Sequence, residues 1–170
     1  MIRTTAHAVL MQTFIAAALA AAGAPPQPAA ASVRPAVAVT VEAGSTVHAA
    51  VTVVVLEGYH VQANPPSQEY LIPTKLDFTS LDGFALGKIG YPKPQIFRLQ
   101  GDELATYTGT FAIDVPLTAA PTLQPGDYVL KGTLRYQACD ARSCYAPTRI
   151  SVELPVKVTA AKPAGAKSSS

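Results

Sequence analysis

The chain contains no tryptophan, and its two methionines, Met1 and Met11, both lie at the very start. Histidine is scarce as well: His7 sits in the same opening stretch, leaving only His48 and His60 further on. A thioether copper site is thereby excluded from the rest of the chain, and a four-ligand zinc site has too few soft ligands. No Gly-x-Ser-x-Gly elbow is present, and so few histidines are poor material for a hydrolytic triad. Charged residues make up only 14% of the sequence. Setting aside Arg3, Lys162 and Lys167 at the ends leaves ten basic residues against eleven acidic ones, so the basic balance comes from the termini. No nucleic-acid surface is expected from such a distribution, and neither a metal nor another cofactor. Beyond the first apolar run no segment is long enough to cross a bilayer, and no stretch combines a helical period with capping signals.

The residues that are present divide the chain into zones. Met1 to Thr5 carries one positive charge, and His7 to Ala22 is Ala-rich and apolar, with Leu10, Phe14, Ile15 and Leu19. Small residues around Ala20 to Ala24 then offer A-x-A-like cleavage sites. This layout predicts a signal peptide over residues 1–24 and an exported protein, periplasmic or secreted; an uncleaved N-terminal anchor is the alternative. Residues 25–36, Ala and Pro with little to bury, predict a disordered spacer, and residues 159–170 a solvated low-complexity tail. The ~120 residues between them, 37–158, suffice for one domain with one core.

Within that domain apolar residues alternate, the period of a strand with one buried face. The runs are Val37, Val39, Val41; Val47 to Val55; a short Tyr59-His60-Val61; Leu71 to Phe78; Tyr107, Phe111, Ile113, Val115; Tyr128 to Tyr136; and Ile150 to Val158. Pro116 is expected to end the fifth run, and Pro155 to mark an edge or bulge in the last. Seven or more strands separated by Pro/Gly turns predict an all-β, immunoglobulin-like antiparallel sandwich, with a closed barrel as the alternative.

The one chemically distinctive feature is Cys139-Asp140-Ala141-Arg142-Ser143-Cys144. Strand alternation carries the chain to Ala138 and the four intervening residues are turn formers, so the cysteines are expected to face each other across a hairpin end. In an oxidising compartment such a pair can form a disulfide. Two roles remain open on spacing alone. One is reversible exchange, in which a thiolate attacks a partner's disulfide and the second thiol resolves the mixed disulfide. The other is a hairpin staple in a non-catalytic binding or structural module; closing so small a loop stabilises by roughly 2 kcal/mol in the chain-entropy model.

Around these cysteines the sequence resembles the amino-terminal periplasmic domains of the thiol:disulfide interchange protein DsbD family. The resemblance is carried by Tyr136-Gln137-Ala138-Cys139-Asp140, by Cys144 with Tyr145 and Pro147, by Gly58-Tyr59-His60, by Tyr70 to Leu76, by Tyr91-Pro92-Lys93-Pro94 and by Gly126-Asp127-Tyr128. It implies an immunoglobulin-like domain that passes electrons, with Cys144 entering the mixed disulfide and Cys139 resolving it. It also implies thioredoxin-fold periplasmic oxidoreductases and a membrane-linked reductant as partners. A cap loop shields the pair in the family, and by position Leu86 to Tyr91 resembles it. That stretch lacks the acidic residues and the phenylalanine of well-known members, leaving Tyr91 as its aromatic cover. The family's full-length form continues into a membrane domain, so a stand-alone version is expected here, one that meets its reductant by diffusion or belongs to a different exchange pathway.

Other residues have two readings each. His60 is a candidate proton acceptor near the sulfurs or a hydrogen-bonded surface histidine. Arg142 could stabilise a thiolate, but Asp140 opposes it, and a solvated turn residue is the plainer reading. Tyr59, Tyr136 and Tyr145 either line the exchange site or pack on a sheet face.

Overall fold

The structure is a computed structural model that describes residues 29–162. The expected signal peptide and most of the expected tail lie outside these residues. All regular structure within them is β. The strands are β1 (Ala31–Val33), β2 (Val39–Glu42), β3 (Thr46–Val55), β4 (His60–Gln62), β5 (Lys75–Phe78), β6 (Phe84–Leu86), β7 (Gln95–Leu99), β8 (Asp102–Tyr107), β9 (Thr110–Ala119), β10 (Gly126–Tyr136), β11 (Ala138–Cys139) and β12 (Thr148–Thr159). They form three four-stranded sheets, ordered β1-β3-β9-β6, β2-β12-β10-β5 and β11-β4-β8-β7. This is the expected immunoglobulin-like sandwich, accompanied by a third sheet.

The alternating runs account for the core. On β3, Ala49, Val51, Val53 and Val55 are buried; on β9, Ile113, Val115, Leu117 and Ala119; on β12, Val152, Leu154, Val156 and Val158. Because side chains alternate along a strand, each run presents one face inward, and the two large sheets bury these faces as one cluster with Leu76, Leu130 and Leu134. Each fully buried Leu or Val contributes on the order of 1.5–3 kcal/mol relative to exposure. All pairings are antiparallel except β2 with β12, which run parallel.

Several boundaries differ from expectation. Ala31–Val33, placed in the spacer on composition, pairs antiparallel with Val53–Val55, and Ala30 and Ala31 are buried. Small side chains carry little hydrophobic signal, but the open edge of β3 supplies backbone partners for them. Val37 lies outside β2 and is 86% exposed. The run from Tyr107 to Val115 is two strands, parted at Thr108-Gly109, where Gly109 takes a φ of 59°. Nor does Pro116 end β9. Its carbonyl accepts the Gly87 N–H at 2.8 Å, so the side of Pro116 that lacks a donor faces Gly87 and leaves the β3 ladder intact. Pro155 lies inside β12, one residue ahead of Val156, where pairing with β2 begins.

Candidate functional site

The third sheet assembles the site. Short β11 pairs with β4, setting Ala138 opposite Val61 and Cys139 opposite His60. Beyond Cys139 the chain turns, and Cys144 returns as its antiparallel bridge partner, joined to it by a disulfide. Asp140 builds the turn: its Oδ1 accepts the N–H groups of Arg142 at 2.7 Å and Ser143 at 2.9 Å. Its own N–H donates to the Ser143 carbonyl, and the Tyr145 N–H to that of Ala138. The Tyr145 hydroxyl donates to Asp140 Oδ2 at 2.6 Å. That hydrogen bond, with those from Arg142 and Ser143, holds the Asp140 carboxyl down at about 2, and the same bond is the main cause pushing Tyr145 up to about 12.

The two sulfurs are unequal. Cys139 is fully buried among Leu71 and Leu104, with Phe97 and Leu99 packed against the cluster, whereas Cys144 is half-buried. Cys144 lines an open cleft of about 290 Å³ with Tyr70, Leu99, Gln100, Gln137 and Arg142; Cys139 does not reach it. The cover over the pair is the β7–β8 hairpin. Its two-residue tip, Gln100 and Gly101, has positive φ at both positions, 51° and 97°, as a turn matched to strand twist requires. Gln100 Nε2 donates to the Arg142 carbonyl at 2.7 Å, tying the tip to the cysteine turn. Further back, Phe97 stacks on the His60 ring at 3.6 Å between centroids.

The residues singled out in the sequence are distributed as follows. Tyr59 and Tyr145 are neighbours, 6.1 Å between ring centroids, and Tyr145 belongs to the cysteine turn. His60 lies across from Cys139; burial lowers its pKa, and its Nδ1 has no hydrogen-bond partner among the described residues. Arg142 is exposed in the turn. Tyr136 is in the main core and is absent from the cluster around the sulfurs. The cap expected over Leu86 to Tyr91 is elsewhere: Leu86 pairs with Leu117, Gly90 bridges Asp114, and the Tyr91 hydroxyl accepts the Leu76 N–H at 2.9 Å. That segment runs along β9, so its shared ladder holds it away from the role that β7–β8 fills.

Gln62, Leu71, Phe97, Leu99, Gln100 and Leu104 were not singled out from the sequence. A signal for the hairpin was there: Ile96, Leu99 and Leu104 flank a two-residue, Gly-containing break, a hairpin pattern. For Gln62 the signal was a polar residue beside Val61 in a short strand, which says nothing until a sulfur is opposite it.

Residues 27–162 match the family described as "Thiol:disulfide interchange protein DsbD, N-terminal". Among curated proteins none matches the chain. Solved structures that resemble it include the N-terminal periplasmic domain of ScsB from Proteus mirabilis, with TM-score 0.50, 18% identity, and coverage of 73% of this chain and 44% of that one. The reduced N-terminal domain of DsbD from Neisseria meningitidis aligns with TM-score 0.42 and 19% identity, over 66% of this chain and 79% of that one. The chain thus spans less than half of the ScsB structure, and that likeness is one of fold. Among the described residues no helix is long and apolar enough to cross a membrane.

Proposed function

Because the chain belongs to the family of DsbD N-terminal domains, and is a thiol–disulfide interchange module with redox partners, we propose that it passes electrons in the periplasm between a membrane-linked reductant and thioredoxin-fold oxidoreductases, with Cys144 as the attacking sulfur. The reduced Cys144 thiolate attacks one sulfur of the partner's disulfide; that bond breaks, a mixed disulfide forms, and the partner's other sulfur leaves as a thiolate. Cys139, as thiolate, then attacks Cys144 Sγ, closing the intramolecular disulfide and expelling the partner's second thiolate. Two electrons have moved to the partner. A reductant recharges the pair by the reverse sequence, attacking Cys144 and expelling Cys139.

The observation that carries this reading is the inequality of the sulfurs: Cys139 is 0% exposed, while Cys144 borders the open cleft. A partner's sulfur needs access, and the cleft offers it to Cys144. The test compares Cys139→Ala with Cys144→Ala in a periplasmic extract. Cys139→Ala, lacking the resolving thiol, is expected to accumulate mixed disulfides with thioredoxin-fold proteins, and Cys144→Ala few. Equal trapping by both, or no trapping with only a loss of thermal stability, would leave the pair as a hairpin staple.

A further inference from the structure

Cys139 must carry negative charge whichever way electrons flow: it is the nucleophile that resolves the mixed disulfide, and the leaving group when the disulfide is reduced. Its surroundings oppose that charge. Leu71, Leu104, Phe97 and Leu99 close around a fully buried sulfur, and an apolar enclosure disfavours a thiolate. A polar side chain reaches this sulfur. Gln62, also fully buried, directs its Nε2 at Cys139 Sγ from 3.1 Å and lies 3.8 Å from Cys144 Sγ. We propose that the Gln62 amide is a catalytic hydrogen-bond donor of this exchange site, stabilising the Cys139 thiolate as it forms.

The backbone leaves the side chain little alternative. The Gln62 N–H donates to the Gln137 carbonyl, and the Gln62 carbonyl accepts both the N–H and the hydroxyl of Thr74. Cys139 is paired with His60, so residue 62, two places along β4, is its diagonal neighbour on the same face. The amide's other end argues against a purely structural role. Gln62 Oε1 is buried without a hydrogen-bond partner among the described residues. An orphaned buried carbonyl costs stability that an apolar side chain of similar volume would avoid. The compensation is an N–H dipole aimed at the sulfur that must ionise, preorganised in a site closed to water, where such a donor acts most strongly.

This proposal rests on the exchange reading, so its test is made on the protein alone, without a partner. In Cys144→Ala, where Cys139 is the sole thiol, thiolate absorbance near 240 nm is followed against pH with and without Gln62→Met, which keeps volume and removes the donor. The midpoint is expected to rise by about one pH unit. Gln62→Glu, ionised at the alkaline pH where the thiol titrates, is expected to raise it further. In the two-cysteine protein, Gln62→Met is expected to slow reduction by dithiothreitol roughly threefold through the poorer leaving group. An unchanged midpoint accompanied by a lower unfolding temperature would make Gln62 a packing residue and overturn the proposal. Should Cys144→Ala not fold, an unchanged dithiothreitol rate in Gln62→Met overturns it as well. Failure of partner trapping would sink the exchange reading and leave these measurements standing.

Discussion

Asp140 shows how one side chain sets the geometry of a reactive loop. Its carboxylate gathers two backbone N–H groups and one phenol, and these hydrogen bonds to the charged form hold its pKa at about 2. A folded pKa below the ordinary 3.8 means that this contribution is complete above 3.8 and is lost as pH falls through about 2. Tyr145 has the opposite sign: raised to about 12, its contribution is complete below the ordinary 10 and is lost as pH rises through 12. In Tyr145→Phe the largest cause of the Asp140 shift is gone, so its carboxyl titration, followed by NMR, is expected to move up from about 2 toward 3.8. A titration that stays near 2 would assign the effect to the Arg142 and Ser143 N–H groups instead.

The β7–β8 hairpin packs over the buried sulfur through Phe97, Leu99 and Leu104. It is held at its tip by Gln100 on the Arg142 carbonyl and along its length by Phe97 on His60. Phe97 is partly rather than fully buried, so Phe97→Ala is expected to cost about 1–2 kcal/mol, below the range for a fully buried aromatic. Its effect on the site should be larger than that on stability. With the ring gone, dithiothreitol is expected to reduce the disulfide several-fold faster, and the His60 pKa, lowered by burial, to move back toward 6.5. Unchanged reduction kinetics together with an unchanged His60 titration would show that the cover lies elsewhere.

At the scale of the whole molecule, the sandwich core and the cluster around the sulfurs are distinct apolar clusters. The main core draws on all three sheets, with Val61, Tyr107 and Ala138 of the third among its members, while the cysteine pair belongs to a second, small cluster with Leu71, Leu104, Phe97 and Leu99. Gly132 tests that separation. A Cβ there would meet Phe78 Cδ1 at 2.7 Å and the Asp77 carbonyl at 2.8 Å, where β5 pairs with β10. Gly132→Ala is expected to destabilise the fold by about 1–3 kcal/mol through overpacking, read as a lower unfolding temperature. The rate of disulfide reduction by dithiothreitol under native conditions is expected to be unchanged, because the atoms that the new Cβ would meet belong to Phe78 and Asp77, neither of them a member of the cysteine cluster; a matching change in both would join the two parts into one unit.

The sequence by itself determined the all-β class and most of the buried faces, because period-two alternation from Val47 to Val55 and from Ile150 to Val158 is a local property of the chain. It also determined the cysteine hairpin, since a strand end and four turn formers act within a few residues of one another. Partnership between distant segments was beyond it. Ala31 to Val33 has almost no hydrophobic signal and becomes a strand only because β3 offers an open edge. Tyr91 and Phe97 are both aromatics near Pro-rich sequence; the ladder along β9 takes Leu86 to Gly90 away from the sulfurs, and the β4–β8 pairing brings Phe97 to them. Gln62 acquires its chemical meaning in the same way, for a residue 77 positions distant in the chain supplies the sulfur its amide faces. Periodicity is written in neighbours; the electrostatics of a buried thiolate are decided by whatever the tertiary fold sets within hydrogen-bonding distance of it.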